Sequence, residues 1–499
     1  MSEAIVLPLA VPQTVSAIRR ELARLDEGDA RRAFDVPSTA RLLKTTISLC
    51  AECLGHVPAA VFAIDGRVLL HKRCVRHGAA SAVLENDERF YFLSNKDRSG
   101  RRYADDRLMT IPDYEGGGCC GPRGSGCAAA AESSFGPYTD QLSNKSCTVL
   151  VEVTDACNLA CPVCYSDAKG ERKMPLASFR EYILRLVEQK GGLDSVQLTG
   201  GEALLHPEVV EMIAFLYTQP AIKKIYLPTN GLLLAAGDFA ERLVPFRDKL
   251  MVLLQFDAED GESNRKLRAA NPASARRQVI ERLDRLGIAM QLTMTLTRGV
   301  NDTQVGWVVA QGLARRNVRV IALQPVTYSG RYELPPDPLE RLTLSDMVKA
   351  VCAQVSPRVA PEEFAPIPCS HPNCGWITLF VRRFGIVRNV MRFIDLPAIM
   401  NEVAYKTLLS TKELQHAVGS GKRDGLLARL GKRLVRSTDV FTVAIKPFMD
   451  RFNYDQDRIA NCCHHLMDTT GRAVSFCEYN AIVRQHDPWT RLPRLADPA

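Results

Sequence analysis

Residues 148–164 read Thr148-Val149-Leu150-Val151-Glu152-Val153-Thr154-Asp155-Ala156-Cys157-Asn158-Leu159-Ala160-Cys161-Pro162-Val163-Cys164. Thr148–Val153 is short, apolar and rich in β-branched residues, which predicts a buried strand. The strand runs straight into a C-x3-C-x2-C loop. Three thiolates at this spacing hold three irons of one 4Fe–4S cube and leave the fourth iron without a protein ligand. A metal position left open is what chemistry requires, as catalytic zinc sites show. A structural zinc knuckle would need a fourth ligand that the loop does not supply.

Downstream of this loop the pattern is regular. Further strands are predicted at Ser195–Thr199, Ile225–Thr229, Met251–Phe256, Met290–Thr295 and Arg319–Gln324. Amphipathic helical stretches lie between them, at Phe179–Lys190, Pro207–Tyr217, Ser274–Leu286 and Thr303–Arg315. Six β/α units predict an α/β fold with a parallel sheet, open or curled into a partial TIM barrel. Ligands in such folds sit at the C-terminal ends of the strands. The second strand ends in Thr199-Gly200-Gly201-Glu202, where two glycines permit close backbone approach and a carboxylate follows.

The cysteine loop and the Gly-Gly-Glu strand end together resemble the radical S-adenosylmethionine (radical SAM) superfamily over residues 148–330. The resemblance implies a (β/α)6 partial TIM barrel. It implies that Cys157, Cys161 and Cys164 bind a 4Fe–4S cluster whose open iron chelates the methionine end of SAM. Reductive cleavage of SAM then gives a 5′-deoxyadenosyl radical that abstracts hydrogen from an unactivated carbon. Gly200, Gly201 and Glu202 would contact the methionine moiety. Thr229-Asn230-Gly231 and Gln255 with Asp257, at the ends of the third and fourth strands, would lie on the ribose side.

The chain has 16 cysteines in 499 residues. Its first ten residues make a poor signal peptide, and no run of about 18 apolar residues occurs. The expected compartment is therefore the reducing cytoplasm, where clustered cysteines are metal ligands rather than disulfides. Cys50-x2-Cys53 and Cys74-x2-His77 flank an Asp65-Gly66 hairpin signal, a metal-ribbon spacing suited to mononuclear zinc or iron. Cys119, Cys120, Cys127 and Cys147 form a second set within Gly-rich sequence. Cys369 and Cys374 with Cys462, Cys463 and Cys477 form a third. Each of these two sets suits an auxiliary 4Fe–4S cluster, with either Cys462 or Cys463 as a ligand of the third. His464 and His465 read as supporting or core residues rather than ligands.

These outlying motifs, with Gln324-Pro325-Val326-Thr327-Tyr328-Ser329-Gly330-Arg331 and Phe452-Asn453-Tyr454-Asp455, resemble one radical SAM subgroup over residues 43–485. It contains archaeal tetraether lipid synthases and the pterin-dimethylating enzymes of methanogens. The expected layout is an N-terminal arm (1–42), a rubredoxin- or zinc-ribbon-like unit (43–92), a cysteine-containing linker (93–147), the core (148–334) and a mostly helical, cluster-binding C-terminal region (335–499). The expected outcome of the reaction is carbon–carbon bond formation on a lipid or small metabolite. Methyl transfer to a pterin or natural-product scaffold is the alternative. A non-catalytic zinc-binding interaction protein is the reading from another class.

The partners expected are a lipid or small-molecule substrate and an electron donor such as ferredoxin or flavodoxin. A net charge of +8 is too mild to argue for nucleic acid. One local exception is the basic stretch from Lys422-Arg423 through Arg429, Lys432, Arg433 and Arg436. There Leu427, Leu430 and Leu434 share a helical face that would suit peripheral contact with an anionic membrane.

Overall fold

The computed structural model describes residues 14–93, 146–367, 369–394 and 436–497. Four antiparallel strands open the chain: β1 (Arg41–Leu49), β2 (His56–Ile64), β3 (Arg67–Cys74) and β4 (Gly78–Glu85), paired in that order. Asp65 and Gly66 both take positive φ, 51° and 74°, and make the tight β2–β3 turn that an Asp-Gly pair favours.

The main sheet is built on six parallel strands: β5 (Thr148–Thr154), β7 (Leu193–Gly200), β8 (Ile222–Thr229), β9 (Leu250–Gln255), β10 (Ala289–Leu296) and β11 (Val318–Pro325). They stand side by side in chain order. Helices Leu176–Lys190, Val209–Thr218, Ala273–Arg285 and Val305–Leu313 lie between them. Every sequence-predicted strand and helix of this run is present, with ends within a few residues. The strands form because their Val, Ile and Leu side chains are buried: Val151, Val196, Ile225, Val252, Leu292 and Ile321 are all inaccessible.

A two-residue strand, β6 (Val163–Cys164), carries the third cysteine and pairs antiparallel with β12 (Arg331–Tyr332). The C-terminal region, expected to be mostly helical, carries strands as well as the helices Leu344–Gln354 and Gln456–Ala460 among the described residues. β13 (Ala365–Pro366), β14 (Trp376–Arg383), β15 (Ile386–Asn389) and β16 (Val440–Ile445) extend the sheet beyond β11, and β17 (His464–Met467) with β18 (Ala473–Ser475) covers β5. The reason is composition: Ile377, Thr378, Phe380 and Val381, like Val440, Phe441, Thr442, Val443 and Ile445, are β-branched or aromatic. Both free edges of the parallel run are thereby paired.

Candidate metal and cofactor site

At the C-terminal end of β5 the chain turns sharply, and Thr154 Oγ1 accepts from the Ala156 N–H at 3.1 Å. Cys157, Cys161 and Cys164 follow, all partly buried. The ends of β5 and β7 are stitched together: Gly201 N donates to Thr154 O (2.9 Å) and Glu202 N to Ala156 O (2.8 Å). A Cβ on Gly200 would lie 2.0 Å from Thr154 O, and one on Gly201 2.0 Å from Ala156 O. The two glycines therefore let β7 close against the cysteine loop, a demand that comes before any approach to a ligand.

Glu202 is buried beneath this junction. Its Oε2 accepts from Asn230 N at 2.8 Å and its Oε1 from Leu204 N. Burial pushes its carboxyl up to about 7, against the pull of those N–H donors. Asn230 reaches back with Nδ2 to Asn158 Oδ1 (2.7 Å), so the end of β8 is tied to the cysteine loop. Thr229 Oγ1 accepts from Gly231 N. The sequence reading did not single out Asn158; its place between Cys157 and Cys161 was the available signal.

Asp257 is fully buried and committed on every side. It accepts from Arg268 Nε (2.8 Å) and Nη2 (2.7 Å), Arg276 Nη1 (3.2 Å), Thr295 N (3.0 Å) and Gln255 Nε2 (2.6 Å). Burial opposes its ionisation, but Arg268 and then Arg276 outweigh it and hold the carboxyl at about 2. Arg268 also donates to Val163 O in the cysteine loop, and Arg276 Nε donates to Asn230 O. Asp257 thus anchors two arginines against the loop. Neither arginine was singled out from sequence, because ion pairs that span two helices leave no local pattern.

The thiols differ in environment. Burial first, then the nearby Glu202, Cys161 and Cys164, push Cys157 up to about 11. For Cys164, burial is outweighed by Ser166 and by Arg331, and the thiol is lowered. The three sulfurs do not form one of the compact groups in which all ligand atoms lie within 4.8 Å. Three partly buried thiols on one short loop are a donor set that fits three corners of a 4Fe–4S cluster.

The ribbon residues do form such a compact group: Cys50, Cys53, Cys74 and His77 lie within 4.8 Å of one another. His77 Nδ1 is 3.4 Å from Cys50 Sγ and 3.5 Å from Cys74 Sγ. For Cys53, burial is outweighed by the Gly55 N–H and the neighbouring thiols, and it is lowered to about 7, toward the thiolate a metal takes. Four soft donors in this compass fit one tetrahedral ion.

The remaining cysteines are sorted differently from their order in the sequence. Cys119, Cys120 and Cys127 lie outside the described residues. Cys147, expected with them, instead meets Cys369 and Cys463 within 4.8 Å, all three buried. Cys374, Cys462 and Cys477 make a separate neighbourhood: Cys374 acts electrostatically on both Cys462 and Cys477, and Arg458 feels Cys374 and Cys477 alike. There Arg458 Nε donates to Cys374 Sγ and Met449 N to Cys477 Sγ, both at 3.3 Å. So the expected C-terminal set divides in two, with Cys462 and Cys463, in the turn just before β17, going separate ways. His464 packs among Phe448 and Phe476, and His465 Nδ1 lies 2.8 Å from Ser146 Oγ.

Residues 151–309 match the radical SAM superfamily, and residues 42–86 match the HMPTM N-terminal zinc ribbon domain. The chain is 26% identical to a 7,8-dihydro-6-hydroxymethylpterin dimethyltransferase of Methanocaldococcus jannaschii, across 91% of this chain and 98% of that protein. It is 29% identical to a GTP 3′,8-cyclase of Aquifex aeolicus, over 33% of this chain and only 52% of the cyclase. Among solved structures, Streptococcus suis SuiB bound to S-adenosylmethionine aligns over 42% of this chain and 46% of that one, at 14% identity and a TM-score of 0.35. No helix among the described residues is long and apolar enough to cross a membrane.

Proposed function

We propose that this radical SAM enzyme, whose domain implies a 4Fe–4S cluster and S-adenosylmethionine as cofactors, methylates an unactivated carbon of a small heterocycle of the pterin class. The observation that carries the proposal is the likeness to the pterin dimethyltransferase across 91% of this chain and 98% of that protein, beside the match of residues 42–86 to the zinc ribbon domain. That likeness favours methyl transfer over the coupling of lipid chains. An interaction protein that binds zinc alone would leave the Gly200-Gly201-Glu202 junction and its buried carboxylate without a purpose.

Cys157, Cys161 and Cys164 would hold the cluster, in a six-strand run curled as a partial barrel. With SAM bound, that centre would supply the 5′-deoxyadenosyl radical for hydrogen abstraction, SAM leaving as methionine and 5′-deoxyadenosine; the methyl group that replaces the hydrogen would come from a second SAM or another one-carbon donor. The chain's own residues prepare the place. Glu202 offers a buried carboxylate suited to the SAM ammonium. Asn230 and Asn158 fix the end of β8 to the loop, with Thr229 behind them, and Asp257, itself held by Gln255, keeps Arg268 and Arg276 as fixed positive charge beside it. Cys50, Cys53, Cys74 and His77 would hold the ribbon ion. The trios Cys147/Cys369/Cys463 and Cys374/Cys462/Cys477 would be two further metal stations, open to electrons from a ferredoxin or flavodoxin.

The test is anaerobic incubation of the reconstituted enzyme with SAM, a reductant and 6-hydroxymethyl-dihydropterin. Mass spectrometry should show the pterin gaining one or two methyl groups. An unchanged pterin, with 5′-deoxyadenosine formed and a lipid substrate coupled instead, would overturn the assignment.

A further inference from the structure

The β14–β15 hairpin turns through Phe384 and Gly385, both at positive φ (51° and 75°). Asn, Asp or Gly is the relaxed choice at such a turn, and a bulky side chain there is costly. Yet Phe384 is 86% exposed, and Ile386, two residues on, is 57% exposed. Phe393, just beyond β15, is exposed as well. Neither local conformation nor core packing accounts for Phe384 and Ile386.

The surroundings are basic. Arg383 lies 4.9 Å over the Phe384 ring. Arg388 is exposed two residues beyond Ile386, on the same face of β15, and Arg316 and Arg436 are exposed across a cleft of about 610 Å³. Among the described residues, Asp439 is the one acidic residue lining that cleft, and it already faces Arg383 at 3.6 Å. Arg382, behind the turn, is lowered to about 10, by burial first and then by the positive Arg319.

We propose that this hairpin is a membrane-docking element: Phe384 and Ile386 enter the headgroup layer of an anionic bilayer, and the exposed Arg316, Arg388 and Arg436 meet its phosphates. Apolar tips amid arginines are the composition that interfacial binding uses. The position in the fold favours a bilayer over an electron-donor protein. β14 runs antiparallel to β16, so the hairpin lies where the parallel strands begin, at the end of the sheet opposite the cysteine loop. A bilayer docked there leaves the C-terminal ends of the strands accessible. The proposal is independent of the substrate assigned above.

Full-length holoenzyme is floated with phosphatidylglycerol or phosphatidylcholine vesicles. The wild type should float with the anionic vesicles only, and less so in high salt. Phe384→Ser with Ile386→Ser, and separately Arg316→Glu with Arg388→Glu, should each cut partitioning about tenfold or more, while 5′-deoxyadenosine formation in solution is unchanged. Phe384→Trp should keep binding and gain fluorescence that brominated phosphatidylglycerol quenches, a readout that requires no loss of function. Wild type that stays unbound, variants that float as well as wild type, or a tryptophan that is not quenched would each overturn the proposal. So would capture of flavodoxin by this face without vesicle binding.

Discussion

Cys164 lies directly opposite Arg331 in the two-residue pairing of β6 with β12. The third cysteine of the loop is thus held by a segment that follows the last parallel strand. The turn before Arg331 makes this closure possible: Gly330 has φ +62°, and a Cβ there would sit 2.3 Å from Tyr165 O and 2.4 Å from Cys164 O.

Gly330→Ala should therefore push β12 away from Cys164. The expected result is loss of most of the iron held by the Cys157/Cys161/Cys164 loop, with ribbon metal retained. Gly287→Ala is the control. It has a similar φ of +70° with nothing within 4 Å of a Cβ, so it should cost about 1 kcal/mol in stability and spare the iron. Metal analysis and electron paramagnetic resonance of both variants would check this.

Glu202 gives a pH prediction. With its carboxyl pushed up to about 7 by burial, it is largely protonated at pH 6 and largely ionised at pH 8. A carboxylate that takes the SAM ammonium must be ionised, so SAM should bind more tightly as pH rises through 7, with a proton released on binding below it. Glu202→Gln should flatten this dependence and weaken binding by about 1.5–3 kcal/mol, the worth of a charge-assisted hydrogen bond. Calorimetric titration across pH 6–8 is the measurement.

Lys44 is buried between Asp455 (2.9 Å) and Asp457 (2.8 Å), and Thr46 Oγ1 also donates to Asp455. This contact docks the ribbon onto the helix Gln456–Ala460 that leads to Cys462. Lys44→Met would remove the cation that these two buried carboxylates share. The expected loss is about 3–5 kcal/mol, measurable by denaturant unfolding. Lys44→Met combined with Asp457→Asn should recover part of that loss, because one of the two buried charges is then removed.

The six parallel strands, the intervening helices and the Asp65-Gly66 turn were legible because each is written in a continuous run of residues. The cysteine loop and the Glu202 junction were legible because their spacing is local. The allocation of Cys147 was not. Its neighbours Cys369 and Cys463 become neighbours only when β17 pairs beside β5, and chain proximity pointed instead to Cys119, Cys120 and Cys127. The strands of the C-terminal region were missed because they are short β-branched or aromatic runs, such as Val440–Ile445, that recur at no regular spacing. The part of Asp257 in holding Arg268 and Arg276 depends on three elements meeting, which no single segment announces.

The split of the C-terminal cysteines has its own test. Cys369→Ala should remove metal from one station and leave the other, and Cys374→Ala should do the reverse. The double variant should lose the sum. If either single change empties both stations, the cysteines form one site and the division fails. Iron, zinc and sulfide analysis of anaerobically purified protein would decide it.

Cys157, Cys161 and Cys164 would hold the centre that cleaves SAM. The most direct test of this compares wild type with Cys161→Ala, both purified and reconstituted without oxygen and reduced with SAM present. The account predicts brown wild-type protein that forms 5′-deoxyadenosine, and a Cys161→Ala variant that forms none while keeping its ribbon metal. Continued 5′-deoxyadenosine formation by Cys161→Ala, or wild-type protein that is colourless and holds zinc alone, would contradict it.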